Sequence, residues 1–498
     1  MKFQDYLQKI LNEEAQKHID RYHVYHNAVH LEFLRNQKRI ENPPQKKIKK
    51  PNYWKLDPKF NPFYVRRKSK SIAKSIARKV ASGNYQPFSP YEKKIPKPDG
   101  GERPITVYQI PDAAISRVYF ERLLAKNRHR FSAFSYAYRD DKNVHFAIQD
   151  ISLDISRDAR VFVAEFDFSD FFGSISHAYL EEQFGENGFL ISEEERHVIS
   201  AFLKDRPAGI PQGTSISLFL ANLVCWRMDH ALERAGLKFA RYADDTIVWA
   251  KSYEKICEGF SIINDFSASA GVRINAKKSD GISLLTSKGL PAELASAKSR
   301  IDFLGYSVSV GSVSIKRNSV KKIQKQISYL LYRNLIQPLK GSKLRGLVIP
   351  SNDSDEALLT AISQIRRYLY GGLSGDHLRD YLNGRTKRIY FKGIMSFYPL
   401  VNDEKQLKEL DGWLVSTIHR CVQLRNRLLK KWGYDRSHSF PFSVAHSDIL
   451  EVYRAHEISG KRLLEVPSFL LVFRAIQIGL INRGIENIMN PESMDYDY

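Results

Sequence analysis

The chain has 498 residues, with 77 lysines and arginines against 55 aspartates and glutamates, which gives a formal net charge of +22. A surplus of this size favours a polyanionic partner that is held through its phosphates. The three cysteines are scattered without C-x-x-C spacing, which argues against a disulfide framework or a zinc site, and no apolar run is long enough to span a membrane. We therefore expect a cytoplasmic protein of two or three packed units, without a membrane partner.

The first part of the chain is helical in pattern and basic in charge. Apolar residues recur at helical spacing over residues 3–11, which predicts an N-terminal helix. Lysine-rich runs follow at residues 46–50 and 66–70. Such runs are found in solvated faces and disordered arms as well as in tracks that bind nucleic acid. We take residues 1–55 as an N-terminal helical and basic extension.

Aspartates follow or interrupt apolar, β-prone runs in two separate segments. Residues 161–172 read V-F-V-A-E-F-D-F-S-D-F-F and place Asp167 at the end of a strand-like run. Residues 239–249 read F-A-R-Y-A-D-D-T-I-V-W and place Asp244 and Asp245 at a tight turn between two such runs. A hairpin holds these groups at its tip, and adjacent carboxylates repel each other unless a cation neutralises them.

Two carboxylate-bearing elements that converge would form a metal site. Phosphoryl transfer by two metal ions needs carboxylates from separate elements, and hard ions such as Mg²⁺ prefer these oxygens. The pattern therefore predicts two Mg²⁺ ions, with Mn²⁺ as an alternative, although a D-D pair in a hairpin turn is also common without any function. Between the two segments, residues 209–217 (G-I-P-Q-G-T-S-I-S) precede a helix-like run, where glycines would let the backbone approach a ligand.

Taken in order, these segments resemble the motifs of the reverse transcriptases. The likeness covers residues 91–306 and consists of seven motifs in the order that the family has them. They are a fingers hairpin at 95–105, a second fingers segment at 135–139, the first palm motif at 166–176, a P-Q-G motif at 209–217, a Y-x-D-D motif at 242–245, the next palm motif at 271–278 and an F-L-G primer grip at 301–306.

The resemblance implies a fold and a domain order. We expect an α+β right-hand polymerase fold, with fingers, a palm on an antiparallel sheet and a thumb, followed by a mainly α-helical C-terminal region. Fingers and palm would occupy residues 56–310, and the thumb and helical region residues 311–498. The Tyr-Ala pair before the two aspartates is the form usual in reverse transcriptases, whereas RNA-dependent RNA polymerases usually have G-D-D.

The resemblance also implies roles for individual residues. The catalytic and metal-binding residues would be Asp167, Asp244 and Asp245. Contacts to the incoming dNTP would come from Lys97, Arg103, Phe172, Gln212 and Lys278, with Phe172 as the steric gate that excludes a 2′-hydroxyl. Contacts to nucleic acid would come from Arg139, Gly213, Leu304 and Gly305.

The expected activity is that of an RNA-directed DNA polymerase, with an RNA template, dNTPs and a DNA product. The V-T-G signature of retrons is not found, and Leu218 stands where mobile group II enzymes usually carry proline. The helical tail resembles that of defence-associated reverse transcriptases of the abortive-infection kind. This likeness predicts antiviral (phage) defence with a structured non-coding RNA, and it leaves self-association into a homo-oligomer open.

Two alternatives remain at this point. One is a retroelement enzyme of the group II intron or retron type, and the other is an RNA-binding scaffold whose polymerase site has decayed. The terminal sequence M-D-Y-D-Y adds a hypothesis about priming, because a tyrosine hydroxyl can attack a nucleotide phosphate. Tyr496 and Tyr498 are therefore candidate protein primers, and a plain mobile terminus is the alternative.

Overall fold

The computed structural model describes residues 2–37, 42–43, 45–96, 100–279, 281–287, 297–340, 355–458 and 460–489. Its first part consists of helices and one hairpin. The elements are α1 (Phe3–Gln37), α2 (Pro62–Ala81), β1 (Tyr91–Pro96), β2 (Glu102–Val107), α3 (Ile110–Asn127) and α4 (Val144–Ile155). The predicted N-terminal helix and fingers hairpin are both present, and β1 pairs with β2 in antiparallel register, with Ile95 opposite Arg103.

The central part contains the main sheet and the helices behind it. The elements are β3 (Arg160–Phe166), β4 (Phe168–Ser169), α5 (Phe171–Ser174), α6 (His177–Glu186), α7 (Glu193–Leu203), α8 (Ser215–Arg234), β5 (Lys238–Tyr242), β6 (Asp245–Ala250), α9 (Tyr253–Ala270), β7 (Arg273–Ile274), β8 (Gly281–Thr286) and β9 (Ala297–Lys298). The strand order of the sheet is β5-β6-β3-β8-β9, in which all pairs are antiparallel except β8 with β9.

The last part begins with a small antiparallel sheet and continues as helices. The elements are β10 (Ile301–Phe303), β11 (Tyr306–Ser309), β12 (Ser312–Ile315), α10 (Arg317–Leu331), α11 (Glu356–Tyr370), α12 (Gly375–Leu382), α13 (Glu404–Lys431), α14 (Ile449–Ala455) and α15 (Phe469–Arg483). The expectation of an α+β fold with a mainly helical C-terminal region is confirmed.

The main sheet lies between two hydrophobic cores, because side chains alternate between the two faces of a strand. On β3, Val161 and Val163 pack in a core with β10–β12 and the C-terminal helices. Ala164 and Phe166 pack in the other core, with α3, α8 and α9. A strand buried on both faces holds its end rigidly, and Asp167 is the residue that follows it.

The predicted domain boundaries stay a prediction. Helix α1 does not stand apart from the fingers, because Leu7, Ile10 and Leu11 are buried in the same core as α2 and α3. None of the described helices combines the length and the apolar character that a membrane span needs.

Candidate active site

Strand register brings the three predicted carboxylates to one end of the main sheet. Phe166 on β3 pairs with Thr246 on β6, so the next residue, Asp167, lies beside Asp245. Asp245 in turn pairs with Tyr242 across the hairpin, and Asp244 lies in the turn between them. Directly opposite residues of an antiparallel pair have Cβ atoms about 4.5–5.5 Å apart. Two segments that are far apart in sequence therefore present their acids together.

Asp167 is held by residues of the segment that leads to β8. The amide Nδ2 of Asn275 donates to Asp167 Oδ2 at 2.8 Å, and the backbone N–H of Asn275 donates to the Asp167 carbonyl at 2.8 Å. Ser279 Oγ accepts from the Asp167 N–H at 3.1 Å. Sequence reasoning missed Asn275 and Ser279, although both belong to or adjoin the motif at 271–278.

Lys278, which was predicted to contact the substrate, lies beside the same carboxylate. Its Nζ is 3.5 Å from Asp167 Oδ2, and its side chain is 66% exposed. An exposed ammonium group at this distance forms only a weak ion pair. It is therefore available to a phosphate that enters the site, and its role with dNTPs stays a prediction.

The proximity of the three acids also affects their titration. The surrounding protein desolvates Asp245, although part of the side chain is exposed, and desolvation raises the pKa of this carboxyl group. The negative charges of Asp244 and Asp167 raise it further. Together they raise the pKa of Asp245 to about 7, while Lys278 and Lys316 act in the opposite direction. Such repulsion is the electrostatic condition under which a cation binds most favourably.

The carboxylate oxygens of the three aspartates are ligands of the type that Mg²⁺ prefers. Within the described residues, no three acidic, histidine or cysteine side chains form a ready-made metal cage. Mg²⁺ in phosphoryl-transfer sites is usually held by one or two carboxylates together with substrate phosphates, so a full protein cage is not required. Asp167 and Asp244 are the residues that would hold the ions.

A buried arginine that the sequence analysis did not single out supports the β5–β6 hairpin. Arg241 is fully buried and binds both carboxylate oxygens of Asp229 on α8, with Nε–Oδ1 at 2.8 Å and Nη2–Oδ2 at 2.6 Å. It also donates to Ser135 Oγ at 2.7 Å, Asn222 Oδ1 at 3.1 Å and the Ala243 carbonyl at 3.1 Å. Burial lowers the pKa of Arg241 but the charge of Asp229 raises it, and the net shift is upward.

The Arg241 network also joins the fingers segment to the hairpin. The backbone of Arg241 donates to the Phe134 carbonyl and accepts from the Tyr136 N–H, both at 2.9 Å. Ala243, whose carbonyl Arg241 binds, has a positive φ of 58°, which is uncommon outside glycine. Arg241 thereby fixes the turn that carries Asp244. The sequence signal was a charged residue in a strand whose neighbours are all apolar or aromatic.

The P-Q-G segment packs closely on its neighbours through two glycines. A Cβ on Gly213, which has a φ of +106°, would lie 2.5 Å from the Thr106 carbonyl oxygen of β2. A Cβ on Gly209, which has a φ of +81°, would lie 2.6 Å from the Phe172 carbonyl oxygen. The half-buried Gln212 lies in the segment between these two close approaches.

Gly209 offers a direct test of this packing. We expect Gly209→Ala to lower kcat/KM for dNTP by about tenfold or more, because the new methyl group would push the loop away from Phe172. Gly236→Ala is the matched control, since Gly236 also has a positive φ, of +70°, but a Cβ added there would meet no atom of the described residues within 4 Å. Steady-state kinetics of the two variants separate the steric contact from backbone strain, and equal effects would contradict the proposed packing.

Phe172 is 5% exposed and packs edge-to-face against Phe171, with ring centroids 5.7 Å apart. Its carbonyl accepts from the Ile210 N–H, which ties it to the P-Q-G segment. The steric-gate role of Phe172 stays a prediction.

The two basic residues that were predicted to contact the dNTP belong to the fingers hairpin. Lys97 lies outside the described residues, and Arg103 is placed in β2 by its backbone pairing.

The residues predicted to contact nucleic acid differ in their surroundings. Arg139 is 6% exposed at its side chain and forms two bonds to Asp141, at 2.8 and 2.7 Å, as well as one to the Ser132 carbonyl. These contacts give Arg139 a structural role, and its binding of nucleic acid stays a prediction. Leu304 and Gly305, with φ of 46° and 84°, form the β10–β11 turn. Tyr496 and Tyr498 lie outside the described residues.

Comparison with known proteins gives a family match for the central region of the chain. Residues 95–308 match the family model described as reverse transcriptase (RNA-dependent DNA polymerase). The chain is similar to Protein YkfC of Escherichia coli K12, with 24% identity over 187 residues, covering 35% of this chain and 49% of that protein. It is also similar to the retron Ec86 reverse transcriptase of Escherichia coli, with 26% identity over 164 residues, covering 32% of this chain and 47% of that protein.

The chain spans about half the length of these curated relatives. Among solved structures, it is similar to telomerase from Candida tropicalis in complex with a TWJ fragment of telomeric RNA. That likeness has a TM-score of 0.38 and 14% identity, and covers 86% of this chain and 68% of the telomerase chain. At this TM-score it carries no argument about activity.

Proposed function

Because residues 95–308 are a reverse transcriptase domain, we propose that the chain is an RNA-directed DNA polymerase that joins dNTPs by a two-metal mechanism. The observation that supports this most strongly is the register of the main sheet, which sets Asp167 beside the hairpin that carries Asp244 and Asp245. Two Mg²⁺ ions, when bound, would lower the pKa of the attacking 3′-hydroxyl and stabilise the leaving pyrophosphate.

The residues of the chain would then position the reactants. Asn275 fixes the orientation of the Asp167 carboxylate, and Arg241 fixes the turn that carries Asp244. Lys278 lies where its ammonium group can pair with a triphosphate oxygen as negative charge develops. Gly213 lies against the fingers strand β2, so this part of the pocket is bounded by the P-Q-G segment on one side and by the fingers hairpin on the other.

Incorporation of labelled dTTP on poly(rA)/oligo(dT) in the presence of Mg²⁺ tests the proposal. We expect synthesis that stops when EDTA is added. Because the priming mode is open, the same template is also supplied without primer. A protein that binds RNA but incorporates no dNTP under any of these conditions would be the decayed scaffold.

Phe172→Ala tests the choice of sugar. Removing the ring is expected to raise the use of ribonucleotides relative to dNTPs by about tenfold or more, because the space beside the 2′-position would open. Competition between labelled ATP and dATP on a poly(rU) template measures the ratio. Phe171→Ala is the control, since it removes the same volume from a neighbouring core position, and an unchanged ratio in the Phe172 variant would exclude the gate.

For the biological setting, we propose phage defence with a structured non-coding RNA as the template-bearing partner, and a retroelement role as the second candidate. The similarity to a retron reverse transcriptase supports the second candidate. Sequencing the nucleic acids that copurify with the protein from cells distinguishes them. A small structured RNA with its DNA copies favours defence, and intron RNA favours the retroelement.

A further inference from the structure

The outer face of helix α2 is strongly positive. The helix contains seven lysines and arginines and no acidic residue. Its apolar side, which includes Val65, Ala73 and Ile76, is buried against α1 and α3. The cations therefore face outward, and all seven are exposed.

Four of these cations form a line, which we call the basic stripe: Arg67, Lys70, Lys74 and Arg78. Their spacing of three and four residues places them on one side of the helix over about 16 Å. No carboxylate in the described part of the chain forms an ion pair with them, whereas Arg117 on the neighbouring α3 binds Glu13, Glu14 and Glu121. Like charges at this spacing destabilise a helix, so a polyanion bound here would relieve their repulsion.

A groove of about 710 Å³ runs between α1 and α2 beside the stripe. The α1 wall presents Gln8, Asn12 and Gln16, which are four residues apart, and the α2 wall presents Arg66 and Ser69. Asp5, Lys9 and Glu13 complete the lining. Amide side chains carry both donors and acceptors and can bond to the edges of unpaired bases. Gln16 Nε2 already donates to Asp20 Oδ1 at 2.7 Å, so Gln8 and Asn12 would make these contacts.

An aromatic cluster lies at the start of α2. Phe63 is 43% exposed and packs edge-to-face against Tyr22 and Trp54, with ring centroids 6.1 Å apart in both pairs. His23, also exposed, lies 6.3 Å from Phe63. Exposed rings beside a positive surface are typical of sites on which unpaired bases stack.

We propose that α1 and α2 form a docking surface for RNA with unpaired nucleotides, in which the basic stripe holds phosphates and the groove and Phe63 bind bases. The proposal rests on the proposed function, because this RNA would be the partner that carries the template. The surface is separate from the polymerase site, since α2 packs on α1 and α3 whereas the catalytic acids lie on β3 and the β5–β6 hairpin. A membrane is disfavoured as the partner, because the apolar face of α2 is buried.

The test uses the full-length variant R67Q/K70Q/K74Q/R78Q and a fluorescein-labelled RNA hairpin with a single-stranded loop. Anisotropy titrations across NaCl concentrations should show the slope of log K against log[NaCl] reduced in magnitude by about 3 to 4, with affinity at physiological salt weakened about tenfold or more. The control K405Q/K431Q/R454Q/K461Q changes charge equally at exposed positions of the C-terminal region, and should leave the slope unchanged. Equal slopes in the two variants would overturn the proposal.

Asn12→Leu separates base contacts from charge. It should weaken binding of the looped hairpin about fivefold or more and leave binding of a fully paired RNA duplex unchanged. Equal binding of the looped RNA by this variant and the unchanged protein would remove the groove from the proposal.

Two further measurements separate this proposal from others. At a saturating concentration of poly(rA)/oligo(dT), kcat for primer extension by the stripe variant should stay within about twofold of the unchanged protein, since the catalytic acids lie on β3 and the β5–β6 hairpin and not on α2. If the unchanged protein binds RNA through the stripe but extends no primer, the proposed function fails and the docking surface stands. Loss of binding to phosphatidylserine vesicles with unchanged RNA binding would instead identify a membrane and overturn the proposal.

Discussion

Replacing Asp244 by asparagine is expected to lower dNTP incorporation by at least about 10³-fold, because a carboxylate that neutralises developing charge is worth several kcal/mol in the transition state. The fold should be retained, since Asp244 lies in a turn and its replacement removes one of three mutually repelling charges. Primer extension measures the activity, and circular dichroism measures the fold. Asp265→Asn, an exposed change on α9 behind the sheet, is the control and should keep full activity.

The same repulsion predicts a dependence of stability on pH in the absence of metal. The pKa of Asp245 is raised to about 7 in the folded protein, so the folded state holds a proton that the unfolded state releases at lower pH. The contribution of Asp245 to the free energy of unfolding is therefore fully present below about pH 4 and is lost as the pH rises towards 7. Asp245→Asn should therefore melt higher than the unchanged protein in EDTA, with a difference that grows from pH 5 to pH 8. A constant difference would mean that Asp245 is ionised throughout.

Local patterns in the sequence were sufficient for the elements that carry the acids. The two apolar, β-prone runs on either side of the D-D turn predicted the β5–β6 hairpin, and the apolar run before Asp167 predicted β3. These elements are decided by periodicity and turn residues within a short window, so a single sequence contains the necessary information.

Contacts between distant segments could not be obtained in that way. Asn275 binds Asp167 from 108 positions away, and Arg241 reaches back to Ser135 over 106 positions. Such partners are chosen by tertiary packing, and a polar residue in a strand does not reveal whether it faces solvent, substrate or a buried acid.

The Arg241–Asp229 pair leads to the prediction with the largest effect on stability. Asp229→Ala leaves a guanidinium that is 0% exposed without its counter-charge, and breaking a buried pair in this way typically costs about 3–5 kcal/mol. Guanidinium chloride denaturation should show the loss. Asp158→Ala, which removes the partner of the exposed Lys251, is the control and should cost about 1 kcal/mol or less.

A double variant distinguishes stability from positioning. Asp229→Leu with Arg241→Met removes both charges together, and buried pairs replaced in this way often regain most of the lost stability. Polymerase activity should nevertheless stay low, because the Ala243 carbonyl, Ser135 and Asn222 would still lack the donor that fixes the turn before Asp244. Recovery of activity in step with stability would mean that Arg241 only holds the fold together. Recovery of stability alone identifies Arg241 as the residue that positions the catalytic hairpin.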